Sequence, residues 1–289
     1  MLVFSFFGYL AALLFYITIK ENISLKPVWQ GMAYTEIVFL LPNLHYWSSS
    51  LGKGSVIMLG LALFIYGLSR FNRRFIPLLL GGFLTYMVRP HMFLTIVLSI
   101  MLGVFLASSG IKWYVRWMMF IIAAVVFYFI SDSVVEFAET DSLNILTSDN
   151  LLHRVEELGK AGSGVDIQNY NLFMKMFTFW FRPLFFDGFS AISLIASFEN
   201  LFYLFMVTVI IRESFNSWGK WNGWFKICFF FFLFGSFILA QVSGNLGIAM
   251  RQKAQVMPFF FIIFCKAMSY RSVVADYIDT QGRKMLTAR

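Results

Sequence analysis

The stretch LVFSFFGYLAALLFYITI, Leu2–Ile19, decides the fold class. It carries no charge over a length that suits the hydrocarbon core of a bilayer, about 20 residues at 1.5 Å rise each. No basic n-region precedes it and no A-x-A site follows, so it reads as a retained span and not as a signal peptide. Outward from it, the same kind of block recurs. The chain has 289 residues, 59% hydrophobic and 13% charged, against roughly 25% charged in an ordinary soluble domain. Apolar runs and their punctuation predict about nine spans, near residues 2–19, 30–47, 55–69, 75–88, 92–109, 113–131, 193–211, 226–242 and 255–269. The expected fold is therefore all-α, a polytopic transmembrane helical bundle. Blocks 75–88 and 255–269 are short for a full crossing and fit tilted, partial or re-entrant helices. There is no repeat at a period of about 20–50 residues, which argues against a solenoid.

Charge orients the bundle. The polar stretch Asp132–Asn171 holds Asp132, Glu136, Glu139, Asp141, Asp149, Glu156, Glu157 and Asp166 against Arg154 and Lys160. Depletion of basic residues favours the non-cytoplasmic side. Alternation from that loop places Lys20–Lys26, residues 70–74, Lys112–Arg116, Arg212–Lys226 and the tail from Arg271 in the cytoplasm, where they carry most of the basic excess. The N-terminus is then outside and the C-terminus inside. An external N-terminus without leading basic residues also fits a chain that begins inside a longer protein. The expected organisation is N-terminal helices over 1–131, an external acidic loop with an interfacial helix over 132–192, C-terminal helices over 193–270 and a basic tail over 271–289.

The net charge of +8 has its explanation in this orientation, so nucleic acid is not an expected partner and the lipid bilayer is. Cys228 and Cys265 lie in apolar segments and imply neither a disulfide framework nor a metal site; no cofactor is expected. The aromatic run LFMKMFTFWFRPLFFDGFSA, Leu172–Ala191, keeps Lys175, Arg182 and Asp187. Each charge costs a few kcal/mol near the bilayer centre, so an interfacial helix fits better than a span. It could equally be a connector that only anchors the loop.

The external turns hold cations that the orientation rule disfavours: Lys53 in YWSSSLGKGS, Arg89 beside His91 in MVRPHMF, and Arg251 with Lys253 in SGNLGIAMRQK. Arg182 and Asp187 join them on that side. Any of these cations could snorkel to headgroups from a helix end. Together, converging Arg and Lys side chains are what a diphosphate requires, Arg as a forked donor and Lys as a point charge. A base for an acceptor hydroxyl would come from Asp187, His91, Glu156 or Glu157. Glu36 and Glu199 lie in apolar runs and are intramembrane functional candidates by default, unless each pairs with a basic neighbour. The GKGS around Lys53 is not a phosphate-binding loop. That motif needs glycine where Trp47 stands and Ser or Thr where Gly54 stands, after a strand.

The pieces LPNLHYWSSSLGKGSVIMLGLALFIYG, MVRPHMF and GNLGIAMRQKAQVMPFF together resemble bacterial O-antigen polymerases and related multispan proteins of polysaccharide biosynthesis. The matching positions are Pro42, Trp47, Ser48 and Lys53; Arg89 and Pro90; and Asn245, Gly247, Arg251, Lys253 and Pro258. An early external Asp-Glu pair, common in lipid-dependent glycosyltransferases, is missing here. The resemblance implies a polyprenyl-diphosphate-linked glycan as substrate and transfer on the external face of the bacterial inner membrane, with envelope-assembly proteins as partners. On that reading Arg89, Arg251 and Lys253 bind diphosphate, assisted by Arg182 and Lys53. The alternative is a transporter or flippase for a lipid or small anion that uses Glu36 and Glu199. A third reading is a non-catalytic scaffold whose charges are helix-end anchors.

Overall fold

The computed structural model describes residues 1–24, 32–50, 52–107, 112–137, 164–167, 169–188 and 190–287, with side chains for all of these except 130–137, 216 and 272–287. The described residues are helical apart from turns and one isolated bridge. In chain order the helices are α1 Leu2–Asn22, α2 Tyr34–Phe39, α3 Pro42–Ser48, α4 Lys53–Ser69, α5 Phe75–Val88, α6 Pro90–Phe105, α7 Trp113–Phe137, α8 Leu172–Phe181, α9 Ala191–Ser217, α10 Gly223–Val242 and α11 Leu246–Thr287. Four of them, α1, α9, α10 and α11, contain runs long and apolar enough to cross a membrane, and α3 with α4 makes a fifth if that bent pair is one span. In hydrocarbon every backbone group must bond within its own segment, which is why such sequences fold as helices.

The single span expected over 30–47 is instead two short helices. Pro42 opens α3 at a position where a missing N–H costs nothing, and Leu41 before it is extended, with φ −63° and ψ 131°, because the proline ring disfavours a helical residue ahead of it. The block expected over 255–269 is the middle of the 42-residue α11, longer than its apolar stretch suggested.

Helix α11 is the centre of the bundle. Its residues from Val256 to Phe264 are almost all fully buried. Phe259 packs between Phe15 of α1, ring centroids 5.4 Å apart, and Phe231 of α10, 4.1 Å apart. Phe260 and Phe261 meet Tyr203 of α9, and Phe261 also meets Phe39 of α2. Close approach of neighbouring helices uses small residues. A methyl group on Gly81 of α5 would lie 2.3 Å from the Phe64 nitrogen of α4, and one on Gly103 of α6 would lie 2.7 Å from the Ile227 nitrogen of α10.

These contacts give the bundle two ends. At one, Arg74 holds Glu21 through two bonds of 2.7 and 2.8 Å, and Lys20 bonds Glu36 at 2.8 Å. Lys226 and Arg116 meet the C-terminal carbonyls of α6 at the same end, at Leu106 (2.6 Å) and Ala107 (2.9 Å). At the other end the Ser5 hydroxyl reaches the Ser49 carbonyl at 3.2 Å, and α4 and α11 begin. The alternation expected from charge places these same groups on opposite sides.

Candidate functional site

The site is built at the end where α3, α4, α9 and α11 begin. Asn245 caps α11, its side-chain oxygen accepting the Gly247 and Ile248 N–H groups at 2.9 and 3.3 Å. The Val165 N–H bonds the Gly244 carbonyl at 2.9 Å, and the Ser243 hydroxyl bonds Gln252 at 2.5 Å. So held, the first turns of α11 carry Arg251 and Lys253 two positions apart, which on a helix means nearly opposite faces. Arg251 is exposed, whereas Lys253 is 0% exposed. The two cations that the sequence sets side by side do not converge.

Outward, Arg251 lies across Gly52. A methyl group there would sit 2.7 Å from Nη2 of Arg251, and Gly52 has φ 133°, a backbone region that favours glycine. Gly52 caps α4, so Arg251 comes beside Lys53, the exposed first residue of that helix. The Ser55 hydroxyl pins the preceding turn through the Ser48 and Ser50 carbonyls at 2.6 and 3.1 Å. Two cations thus stand at a helix N-terminus, where backbone N–H groups and the helix dipole already favour an anion.

Inward, Lys253 donates to the Asn200 side-chain oxygen at 2.8 Å and to the Arg182 carbonyl at 3.2 Å. Asn200 donates in turn to the Pro183 carbonyl at 2.8 Å. Its neighbour Glu199 accepts the Asn43 N–H at the start of α3 at 2.9 Å and the Tyr203 hydroxyl. This buried network joins α11, α9, α3 and the turn after α8. Lys253 therefore positions the Arg182 turn. Asn43, Asn200 and Tyr203 were missed in the sequence; the signal was the Glu-Asn pair in an apolar run, since polar groups inside a membrane are rarely idle.

Arg182 and Asp187 form an ion pair, with the Leu184 N–H adding a bond to the carboxylate at 2.7 Å. Burial raises the Asp187 carboxyl, but hydrogen bonds from Arg182 and Leu184 outweigh it and hold the group below its ordinary range. The bonds to Asp187 likewise raise the Arg182 guanidinium, against a smaller lowering by burial. With its carboxylate committed and only 3% exposed, Asp187 has the geometry of an orienting partner more than that of a base.

Arg89 caps α5 and Pro90 opens α6, with His91 in the first turn; both Arg89 and His91 are half-buried. Thr85 packs on Gly60 of the antiparallel α4, so Arg89 stands within about a turn of the level of Lys53. Glu36 lies at the opposite end. Besides Lys20, it takes the Tyr16 hydroxyl at 3.1 Å and the Ala33 N–H at 2.6 Å, the pairing that the sequence left open. Glu156 and Glu157, the other candidate bases, lie outside the described residues, as does most of the acidic loop. Comparison with protein families, curated proteins and solved structures yields no match.

Proposed function

We propose that the protein is an integral membrane polymerase or glycosyltransferase that acts on polyprenyl-diphosphate-linked sugars in surface-polysaccharide assembly. It works in the bacterial cytoplasmic membrane, with the N-terminus outside, the C-terminus inside and about nine passes, several of them by helices too short to cross alone. The observation that carries the reading is Arg251 laid over Gly52 beside Lys53 at the start of α4. Arg251, Lys53 and Arg89 grip the diphosphate, and they offset the charge that grows on it as the acceptor hydroxyl attacks the anomeric carbon and the polyprenyl diphosphate leaves. Lys253, Asn200 and the Arg182–Asp187 pair hold this end in shape. His91, beside Arg89, is the candidate to take the proton of the acceptor hydroxyl.

Loss of one donor that stabilises developing charge costs about 10²–10³ in rate. Arg251→Gln and Arg89→Gln should each abolish long glycan chains on gels while immunoblots show normal protein levels. Unchanged chain length in both variants would overturn the assignment. The second reading, a transporter of a lipid or small anion, is favoured only by the buried Glu199. It predicts Glu199-dependent substrate movement in vesicles with no new glycosidic bond.

A further inference from the structure

Six buried side-chain atoms have no hydrogen-bond partner among the described residues: Arg116 Nε, Thr178 Oγ1, Trp180 Nε1, Ser214 Oγ, Ser236 Oγ and Gln255 Oε1. Four of the six gather at one level of one seam, where α8, α10 and α11 meet. Two contacts set α8 on α10. The Trp180 ring stacks on Phe232 with centroids 5.2 Å apart, and Lys175 donates to the Gln241 side-chain oxygen at 3.3 Å. Thr178 falls between Lys175 and Trp180, as Ser236 falls between Gln241 and Phe232. Helix α11 is set on α10 in the same way. Phe259 meets Phe231, and a methyl group on Gly235 would lie 2.9 Å from a Val256 methyl carbon. Ser236 and Gln255 are the chain neighbours of that last contact.

The faces agree with the level, because residues three or four apart share one side of a helix. Ser236 is one turn from Phe232, which meets both Trp180 of α8 and Phe260 of α11. Gln255 is three residues from Gln252, whose side chain bonds Ser243 of α10. Thr178 is three residues from Lys175. Thr178, Ser236 and Gln255 are 2%, 0% and 2% exposed. Other buried helical hydroxyls in this chain bond back to the carbonyl four residues earlier, as Thr85 does to Gly81 at 2.8 Å and Ser217 to Glu213 at 2.7 Å. Thr178 and Ser236 make no such bond.

The mixture of groups selects the ligand. The Gln255 oxygen only accepts, the Trp180 indole N–H only donates, and the two hydroxyls do both. A cation would suit the oxygens and oppose the indole N–H; an anion would do the reverse. Water both donates and accepts, and a buried water that bonds several polar groups is an ordinary part of a protein interior. We infer that the seam between α8, α10 and α11 is an internal water-binding site that bridges Thr178, Trp180, Ser236 and Gln255. The Ser243–Gln252 and Lys175–Gln241 bonds close it toward the end that carries Arg251. It fastens α8, which ends at Arg182, to the two helices beside it, and it stands apart from the diphosphate reading above.

The test is X-ray hydroxyl-radical footprinting of the full chain in nanodiscs, read residue by residue by mass spectrometry. Radicals born on bound water oxidise the side chains beside it. Phe232 should be oxidised several times faster than its neighbour Phe231, which is also buried and packs instead on Phe259. A scavenger in the bulk solvent should leave that excess in place. Ser236→Ala combined with Gln255→Leu should remove the excess, and if that pair fails to fold, Thr178→Val alone should reduce it. Equal rates at Phe231 and Phe232, an excess abolished by the scavenger, or one untouched by these substitutions would overturn the inference. A melting temperature higher in sodium chloride than in choline chloride, and no longer so in the Ser236→Ala, Gln255→Leu or Thr178→Val background, would put a cation at the seam and overturn it too.

Discussion

The two ends of the bundle use the same residue types in opposite electrostatic settings. At the end that holds Lys20 and Arg74, each of those cations meets a carboxylate, while Arg116 and Lys226 meet the carbonyls that close α6. A cation at a helix C-terminus is favourably placed. At the other end Lys53 and Arg251 gather over the start of α4, where the dipole repels a cation and attracts an anion. Beneath them a separate layer, Lys253 with Asn200, Glu199 and the Arg182–Asp187 turn, is buried and bonded to the protein. One end is organised for cohesion. The other sets the exposed side chains of Lys53 and Arg251 above a buried, hydrogen-bonded layer.

The widest test of this contrast is sidedness. A membrane-impermeant maleimide should label a Ser49→Cys variant in intact cells and an Asn72→Cys variant only after permeabilisation. Labelling of both from the same side would break the comparison at its root. Next in size, Asn200→Leu should lower stability by about 1–3 kcal/mol, because it removes the side-chain donor to the Pro183 carbonyl and leaves Lys253 its bond to the Arg182 carbonyl but not the one to Asn200. A shift in the detergent melting temperature reads this out, and no shift would mean that the buried layer supports nothing.

A smaller effect comes from acid. The folded-state pKa of Asp187 is lowered, so its contribution to stability is complete above the ordinary value of 3.8 and is lost as pH falls through the depressed folded value. The melting temperature of the wild type should therefore drop more steeply below that pH than that of Asp187→Asn. Parallel curves would remove the ion pair from the support. The least effect belongs to the cohesive end. Glu21→Gln should cost under about 1 kcal/mol, as partly exposed pairs do, and leave glycan length unchanged. A glycan defect there would erase the distinction between the ends.

Much of this was legible in the residues. The apolar runs predicted where most helices lie, and the basic clusters sorted the turns into the two groups that the structure gathers at opposite ends. Lys53, Arg89, Arg182 and Arg251 stood out against the orientation rule, whereas α11 begins at Leu246, well ahead of the apolar block expected over 255–269. The break at Leu41–Pro42 was written in the proline, yet the apolar run around it hid the signal.

The sequence by itself determined that the chain is helical and apolar, because uncharged runs of bilayer length leave the backbone no other way to bond, and charge punctuates them locally. Only the tertiary structure decided which cations are support and which face outward. Helix α11 is apolar on every face around its centre, so no periodicity tells which side meets a neighbour. The packing of α9 and the Arg182 turn on one face and of Gly52 on the other turns Lys253 into a buried anchor and Arg251 into an exposed contact. That division depends on groups more than 50 residues away along the chain, which no local pattern encodes.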